Sequence, residues 1–373
     1  MFNHSKKILR RFDWLLFFVT VALCGFGFVV LHSALTSMGL GIRAMRSQII
    51  ATAAGLIAVV LIQFLDIDYL KKLAAPVYVV ICGLLLATLI MGFGEAQWGA
   101  RSWLKVGPVI FQPSEFAKLG LMLSLAFLLE KFHNRINHIT TILILAISMG
   151  FPVFMILRQP DFGTAAVLVF FIALMIFYAG IHWGYIVAAL VLVIIAVPVF
   201  YSRLTEVQQN RILNFLNPSR DSQGSNYQQQ QGLIAIGSGQ LSGKGYMQGT
   251  QTQYGFIPER ETDYIFSVLV EEFGFLGGLL LLAGYLVILL RILRIARKTP
   301  GVFASTLCVG IAAMLFIHIF ENAGMLMGLM PVTGIPLPFL SQGGTFQLLN
   351  LICIGLVLSI GTQRPPLDFN VEK

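Results

Sequence analysis

The chain has 373 residues, of which 57% are hydrophobic and only 11% are charged. A soluble globular domain carries about 25% charged residues, so the composition excludes an ordinary soluble protein. Basic residues exceed acidic ones by a formal charge of +8. We attribute this excess to the cationic loops of a membrane protein, and we expect no nucleic-acid partner.

Apolar stretches long enough to cross a bilayer recur along the whole sequence. Because backbone groups in lipid must bond to one another, and because these stretches do not alternate as barrel strands do, they predict an all-α polytopic membrane protein. We treat residues 1–373 as a single transmembrane domain of about ten helices. The predicted spans are 14–35, 46–65, 73–94, 113–130, 139–157, 163–180, 184–201, 264–292, 302–322 and 339–361.

The orientation is predicted from the loop cations, which concentrate at the two ends of the chain and in alternate loops. By the positive-inside rule, both termini are expected in the cytoplasm of a plasma-membrane protein. Residues 202–262 then form a long extracellular loop between spans 7 and 8, rich in Gln, Gly and Ser. Loops of this length are usually functional or disordered, and we expect this one to fold over the membrane surface.

The glycine-dense stretch GSGQLSGKG, residues 237–245, lies in that loop. Its backbone N–H groups could approach a phosphate, with Lys244 adding a positive charge. Flexible turns are the equally simple interpretation, because the spacing does not match a Walker motif.

The segment GARSWLKVG, residues 99–107, precedes the fourth predicted span. Trp103 suits a membrane interface and could also stack on a sugar. Arg101 and Lys105 carry charges that suit a phosphate. We interpret all three as candidate substrate-binding residues on the outer side.

The fourth span opens with FQPSEFAKLG, which contains Glu115 and Lys118. Residues three apart are neighbours on one helical face, so the two side chains are expected to meet. The pair either neutralises itself or lines a polar cavity, and both interpretations stay open.

The short loop RQPDFGT carries Arg158 and Asp161. Asp161 is a rival candidate for a catalytic base, although it could instead form an ion pair with Arg158. Arg158 is a further candidate for binding an anionic substrate.

Five of the 17 acidic residues fall within residues 255–275, GFIPERETDYIFSVLVEEFGF. Asp263 is a candidate general base at the outer mouth of the membrane domain, with Glu259 close by. The alternative is a carboxylate in a first helical turn that only complements the helix dipole, with Thr262 as N-cap. Glu271 and Glu272 are intramembrane acids, which we expect to pair inside the bundle and to keep a polar cavity open.

The stretch MPVTGIPLPFLSQGG, residues 330–344, has three prolines and three glycines between two apolar runs. Such a composition predicts a broken or re-entrant segment. Irregular backbone at membrane depth is tolerated only where protein or a water-filled cavity covers it.

Taken together, these motifs resemble the SEDS family, the group of RodA, FtsW and SpoVE. The resemblance covers nearly the whole chain, and the short tails and the FDW start favour a RodA type. It is carried by FDW at 12–14, GARSWLKVGPVIFQPSEFAKL at 99–119, QPDFGTA at 159–165, AIGSGQLSGKG at 235–245, GFIPERETDYIF at 255–266, EEFG at 271–274 and PVTGIPLPFLSQGG at 331–344.

The resemblance implies a peptidoglycan glycosyltransferase that polymerises lipid II, an undecaprenyl-pyrophosphate disaccharide-pentapeptide, during cell elongation. It implies Asp263 as the catalytic aspartate, and an active site on the outer face. A class B penicillin-binding protein and other elongation-complex membrane proteins are the implied partners. The sequence shows no dedicated metal site, although a divalent cation (Mg or Mn) could share the pyrophosphate charge.

Three positions depart from the family pattern, namely Ser102, Gln240 and Gln342, and they affect the expected substrate contacts. Two alternative functions stay open from the sequence. A lipid II flippase would need polar groups that are reachable from both sides of the membrane. A non-enzymatic scaffold of a cell-wall complex would be insensitive to changes at Asp263. A polymerase or ligase of another lipid-linked glycan is a third possibility within glycosyl transfer.

Overall fold

The computed structural model describes residues 11–94, 101–107, 109–201, 209–210, 213, 215, 217 and 225–363. The described part is mainly helical, as the apolar pattern predicts. The elements are α1 (Trp14–Thr36), α2 (Gly41–Ile62), α3 (Ile67–Met91), β1 (Leu104–Val106), β2 (Val109–Phe111), α4 (Pro113–Lys131), α5 (Ile139–Leu157), α6 (Phe162–Tyr178), α7 (Trp183–Tyr201), α8 (Ser225–Ser238), α9 (Thr250–Gln253), α10 (Ile265–Lys298), α11 (Val302–Leu326) and α12 (Gly344–Thr362).

Seven of the described helices are long and apolar enough to cross a membrane, and α6 is apolar but shorter. This confirms a helical multi-pass membrane protein. The count of ten spans, the sidedness of the long loop and the positions of the termini stay predictions.

Helix α11 lies at the centre of the bundle, where it packs against α4, α6 and α10. In its most apolar window 83% of the residues are buried, against 22% in α3. A helix surrounded by protein can carry polar side chains that a lipid-facing helix cannot, because neighbouring helices can supply hydrogen-bond partners.

A bidentate ion pair joins the start of α1 to α10. Asp13 accepts a hydrogen bond from the backbone N–H of Leu16 at 3.1 Å and so caps α1. Arg291 donates to Oδ2 of Asp13 from Nε at 2.9 Å and from Nη2 at 2.7 Å. The FDW start therefore has a structural role in this fold.

Two strands and the helices α8 and α9 were not predicted. Strands β1 and β2 form an antiparallel hairpin, in which Leu104 pairs with Phe111. Helix α8 lies within the predicted long loop and packs on α10. Gly232 allows α8 and α10 to pack closely, because a Cβ at this position would press against Tyr264 and Ser267 of the neighbouring segment. The loop is therefore less irregular than its composition suggested.

The segment 331–343 contains no helix, so the last span begins at Gly344 and not at residue 339. Pro336 and Pro338 lack the N–H groups that a helix needs. The segment is largely buried under protein, as predicted. A side chain at Gly27 of α1 would collide with the carbonyl oxygen of Phe339, and Tyr285 of α10 donates to the carbonyl of Pro338.

Candidate functional site

Asp263 lies just before α10, against the turn formed by residues 333–335. Its backbone carbonyl accepts a hydrogen bond from Nδ2 of Asn322 at 2.9 Å, and the same amide donates to the carbonyl of Ile335 at 2.7 Å. Gly334 has a φ of +71°, and a Cβ there would lie 3.2 Å from Oδ2 of Asp263. Glycine therefore allows the turn to pass close beside the carboxylate.

The expected N-cap at Thr262 is wrong. Helix α10 begins at Ile265 with Tyr264 at the N-cap position, so Asp263 precedes the helix and is not in its first turn. Thr262 instead donates to the carbonyl of Glu259 at 3.2 Å, and its own carbonyl accepts from Oγ of Ser341 at 2.6 Å. The interpretation of Asp263 as a first-turn dipole partner therefore does not hold.

The backbone around the aspartate is held from two sides. The carbonyl of Glu261 accepts a hydrogen bond from the N–H of Gln342 at 2.8 Å. Burial raises the pKa of the Glu261 carboxyl above its ordinary value, and the negative charge of Glu259 adds to this shift. Burial also lowers the pKa of Arg260, whose guanidinium donates to the carbonyl of Ala34 at 3.4 Å.

The predicted pair of Glu115 and Lys118 is confirmed, and it is almost completely buried. Nζ of Lys118 lies 2.8 Å from Oε1 of Glu115 and 2.9 Å from Nε2 of His318 on α11. It also lies 5.3 Å from the centroid of the Phe346 ring. The pair is therefore part of a larger cluster that joins α4, α11 and α12.

Glu321 of α11 is a second buried acid in addition to Glu115 of α4, and it lies one helical turn after His318. Its carboxylate lies within electrostatic reach of Thr333, Lys118 and Asp161. In the described part of the chain, Oε2 of Glu321, Oε2 of Glu115, Oδ1 of Asn322 and Oγ of Ser114 are buried without a hydrogen-bond partner.

Three of these four unpartnered atoms are carboxylate or amide oxygens, which accept hydrogen bonds when the carboxylates are ionised. Roughly 90% or more of buried polar groups are paired in folded proteins, so unpaired acceptors on two packed helices need an explanation. Hydroxyl or amide donors of a ligand, or bound water, would satisfy them. The cluster is therefore a polar site that could hold water or a ligand that donates hydrogen bonds.

Asp161 caps α6 and contacts the start of α4. Its carboxylate accepts from the backbone N–H of Thr164 at 3.0 Å, from Oγ1 of Thr164 at 2.9 Å and from Nε2 of Gln112 at 3.3 Å. Arg158 is exposed and lies over the ring of Phe154. Among the residues the structure describes, no ion pair joins Arg158 to Asp161, so the pairing expected as an alternative is wrong.

Glu271 does not pair with its neighbour Glu272, contrary to expectation. It is fully buried and accepts from Nζ of Lys244 at 3.0 Å, and from the backbone N–H groups of Gln251 at 2.8 Å and Thr252 at 3.0 Å. Glu272 accepts instead from the hydroxyl of Ser33 at 2.5 Å. The two acids therefore fasten the loop before α10 to the bundle.

The glycine-dense stretch also has a structural explanation. The backbone N–H groups of Lys244 and Gly245 donate to the carbonyls of Glu271 and Glu272, each at 3.0 Å. A side chain at Gly243 would collide with the backbone of Glu272. These glycines therefore allow two backbones to pack closely, and a role of Lys244 in substrate binding stays a prediction.

The remaining candidates lie at the surface, apart from the buried cluster. Arg101 and Lys105 are exposed, and Trp103 is half-buried beside Phe93, with which it exchanges two backbone hydrogen bonds. Glu259 is exposed and has a φ of +52°, which is strained for a residue with a side chain. Their roles in substrate binding stay predictions.

Sequence reasoning missed His318, Glu321 and Asn322. The available signal was the occurrence of three polar residues at spacings of three and four in an otherwise apolar span, since such residues share one face and are costly in a membrane. In the part of the chain that the structure describes, no three His, Cys, Asp or Glu residues come together as a metal site. The divalent cation stays a prediction.

Comparisons with known proteins agree with the sequence motifs. The family model of the FtsW, RodA and SpoVE cell cycle proteins matches residues 13–365. The peptidoglycan glycosyltransferase MrdB of Escherichia coli is 36% identical, over 99% of this chain and 99% of its own. Stage V sporulation protein E of Bacillus subtilis is 35% identical, over 93% of this chain and 96% of its own.

Solved structures are similar over the same length. A chain from a structure that describes the coordination of polymerization and crosslinking by a peptidoglycan synthase complex gives a TM-score of 0.80 at 34% identity, and covers 94% of this chain and 97% of its own. The crystal structure of the rod shape determining protein RodA of Thermus thermophilus gives 0.71 at 31% identity, over 95% and 97%. The chain therefore belongs to the FtsW, RodA and SpoVE family of SEDS membrane proteins.

Proposed function

We propose that the chain is a peptidoglycan glycosyltransferase that polymerises lipid II into β-1,4 glycan strands, with Asp263 as the general base. Relatives named for this activity match the chain over its whole length, which supports the reaction class. The observation that carries the assignment of the base is the position of Asp263. It precedes the helix N-cap, and its backbone is held by Asn322 beside the 333–335 turn.

The reaction is a single displacement with inversion. Asp263 takes the proton of the 4-hydroxyl of the acceptor sugar, and the hydroxyl oxygen attacks the anomeric carbon of the donor. The bond to the pyrophosphate breaks with its electron pair, and undecaprenyl pyrophosphate leaves. One base is sufficient for this reaction, since a second carboxylate as nucleophile is required only for retention.

The departing pyrophosphate needs positive charge as the bond breaks. Lys118 is a buried cation that lies within electrostatic reach of Glu321 on α11. The exposed Arg101, Lys105 and Arg158 are candidates for holding the substrate headgroup at the membrane surface. A divalent cation could share this task, and no step of the proposal depends on it.

The proposal places the active site on the outer face of a bacterial plasma membrane, with both termini in the cytoplasm. A class B penicillin-binding protein would be the crosslinking partner. This is supported by the similarity to a chain of a complex that coordinates polymerization and crosslinking. Similarity to MrdB supports a role in cell elongation.

The buried charges of α4 and α11 would also suit transport, so a lipid II flippase is the second candidate. The polymerase and flippase functions are distinguished by an assay in which the purified chain and its cognate penicillin-binding protein are given lipid II. We expect long glycan from the wild type and none from Asp263→Ala. Full polymerisation by the folded variant would contradict the role of Asp263, and no polymer from the wild type would favour the flippase.

A further inference from the structure

His318 lies on the central helix α11, and its contacts define its protonation state. Its Nδ1 is 2.7 Å from the carbonyl oxygen of Met314, which can only accept, so Nδ1 carries the proton. Nε2 is therefore unprotonated and accepts a hydrogen bond from the ammonium of Lys118 at 2.9 Å. In the described structure, the imidazole thus acts as a neutral acceptor for a buried cation.

The same ammonium has a second acceptor and an aromatic neighbour. Oε1 of Glu115 lies 2.8 Å from Nζ of Lys118. The ring of Phe346 lies 5.3 Å from Nζ and stacks on the imidazole with ring centroids 5.2 Å apart. Two of the three ammonium protons are thus committed, and the direction of the third is fixed by them.

We propose that His318 is a positioning residue that holds Lys118 for its role toward the substrate. Lysine has a flexible stem and a compact charge, so one ion pair along its own helix leaves the ammonium free to rotate. The acceptor supplied by α11 removes that freedom. It aims the third N–H away from Glu115 and His318, and Glu321 lies within electrostatic reach of the same ammonium.

The consequence for catalysis rests on the proposed function. A cation that stabilises a leaving pyrophosphate acts best when it is already in place, because no reorganisation is then needed as charge develops. Loss of the acceptor should therefore reduce the rate while the chain still folds.

Two substitutions separate the contacts of the imidazole. His318→Gln can place an acceptor where Nε2 lies, whereas His318→Asn reaches only the position of Nδ1. With lipid II and the partner present, we expect His318→Gln to keep its rate within about threefold of wild type. We expect His318→Asn to lose about 10- to 100-fold, the equivalent of one charge-assisted hydrogen bond. Rates are normalised to the folded fraction, measured from thermal unfolding.

Equal rates for the two variants, or a normal rate for His318→Asn, would overturn the proposal. Structures of both variants give a readout that does not depend on activity. Nζ of Lys118 should stay beside Glu115 with its present geometry in His318→Gln and move in His318→Asn. An unmoved Lys118 in His318→Asn would refute the positioning role, whatever the activity of the wild type. A wild-type chain that does not polymerise lipid II would count only against the proposed function.

Discussion

Replacing Glu271 by Gln should destabilise the protein far more than replacing its ion-pair partner Lys244. Oε1 of Glu271 accepts from Lys244 at 3.0 Å and from the N–H of Gln251 at 2.8 Å. Oε2 accepts from the N–H and the hydroxyl of Thr252 at 3.0 and 2.8 Å. Glutamine has the same size, but it turns one of these oxygens into a donor that faces other donors.

The expected magnitude follows from these contacts. Hydrogen bonds to a charged group contribute about 1.5–3 kcal/mol each, and one amide orientation loses two of them. We therefore expect Glu271→Gln to lower the free energy of unfolding by roughly 3–5 kcal/mol. The side chain of Lys244 is 26% exposed whereas that of Glu271 is 0% exposed. Because water can replace much of its interaction, Lys244→Gln should cost only about 1 kcal/mol.

The assay is denaturant unfolding in mixed micelles, together with limited proteolysis of the segment 239–256. The double variant should be no less stable than Glu271→Gln alone, because both changes act on one network. Protease should cut the segment faster in Glu271→Gln than in Lys244→Gln. Equal losses of stability in the two single variants would refute the reasoning, since they would mean that the ion pair, and not the backbone contacts, holds the loop.

Three further changes test other parts of the structure. Gln240 has a φ of +48°, so Gln240→Gly should raise the free energy of unfolding by up to about 1 kcal/mol, and a lower melting temperature would contradict this. Arg291→Lys cannot reproduce the paired guanidinium contacts with Asp13, so it should lower the free energy of unfolding by about 1 kcal/mol. An unchanged free energy of unfolding would show that these contacts contribute nothing to stability. Burial raises the pKa of Glu261 above its ordinary 4.5, so the folded state binds this proton more tightly than the unfolded state. The free energy of unfolding should therefore fall as the pH rises from 4.5 through the raised pKa of the folded state. Glu261→Gln should make the melting temperature depend less on pH, and an unchanged slope in this variant would contradict the assignment of the effect to Glu261.

Local patterns in the sequence were sufficient for several features of the fold. The apolar runs predicted the helices, and the three-residue spacing predicted the contact of Glu115 with Lys118. The prolines and glycines of residues 330–344 predicted an irregular segment under cover of protein. In each case the physical cause acts over a few neighbouring residues, so it can be read without knowing the tertiary structure.

Contacts between distant segments could not be predicted in this way. His318 meets Lys118 across 200 residues, and Glu271 meets Thr252 from a different helix. Glu271 and Glu272 were correctly predicted to be intramembrane acids, but the prediction that they pair was wrong, because Lys244 and Ser33, which bind them, lie far away in the sequence. The N-cap was misassigned because Thr262, a residue type that often caps helices, instead takes part in the turn before Asp263.

The most direct test of the account combines polymerisation and transport in one preparation. The chain and its cognate penicillin-binding protein are reconstituted in liposomes that contain lipid II, with Asp263→Asn and the matched neighbour Glu261→Gln. Our account predicts glycan strands from the wild type and from Glu261→Gln, none from Asp263→Asn, and no difference in lipid II flipping between the three. Polymer from Asp263→Asn at the wild-type rate would contradict the role of Asp263 as base. Loss of lipid II flipping in Asp263→Asn, with no polymer in any sample, would contradict the assignment as a polymerase.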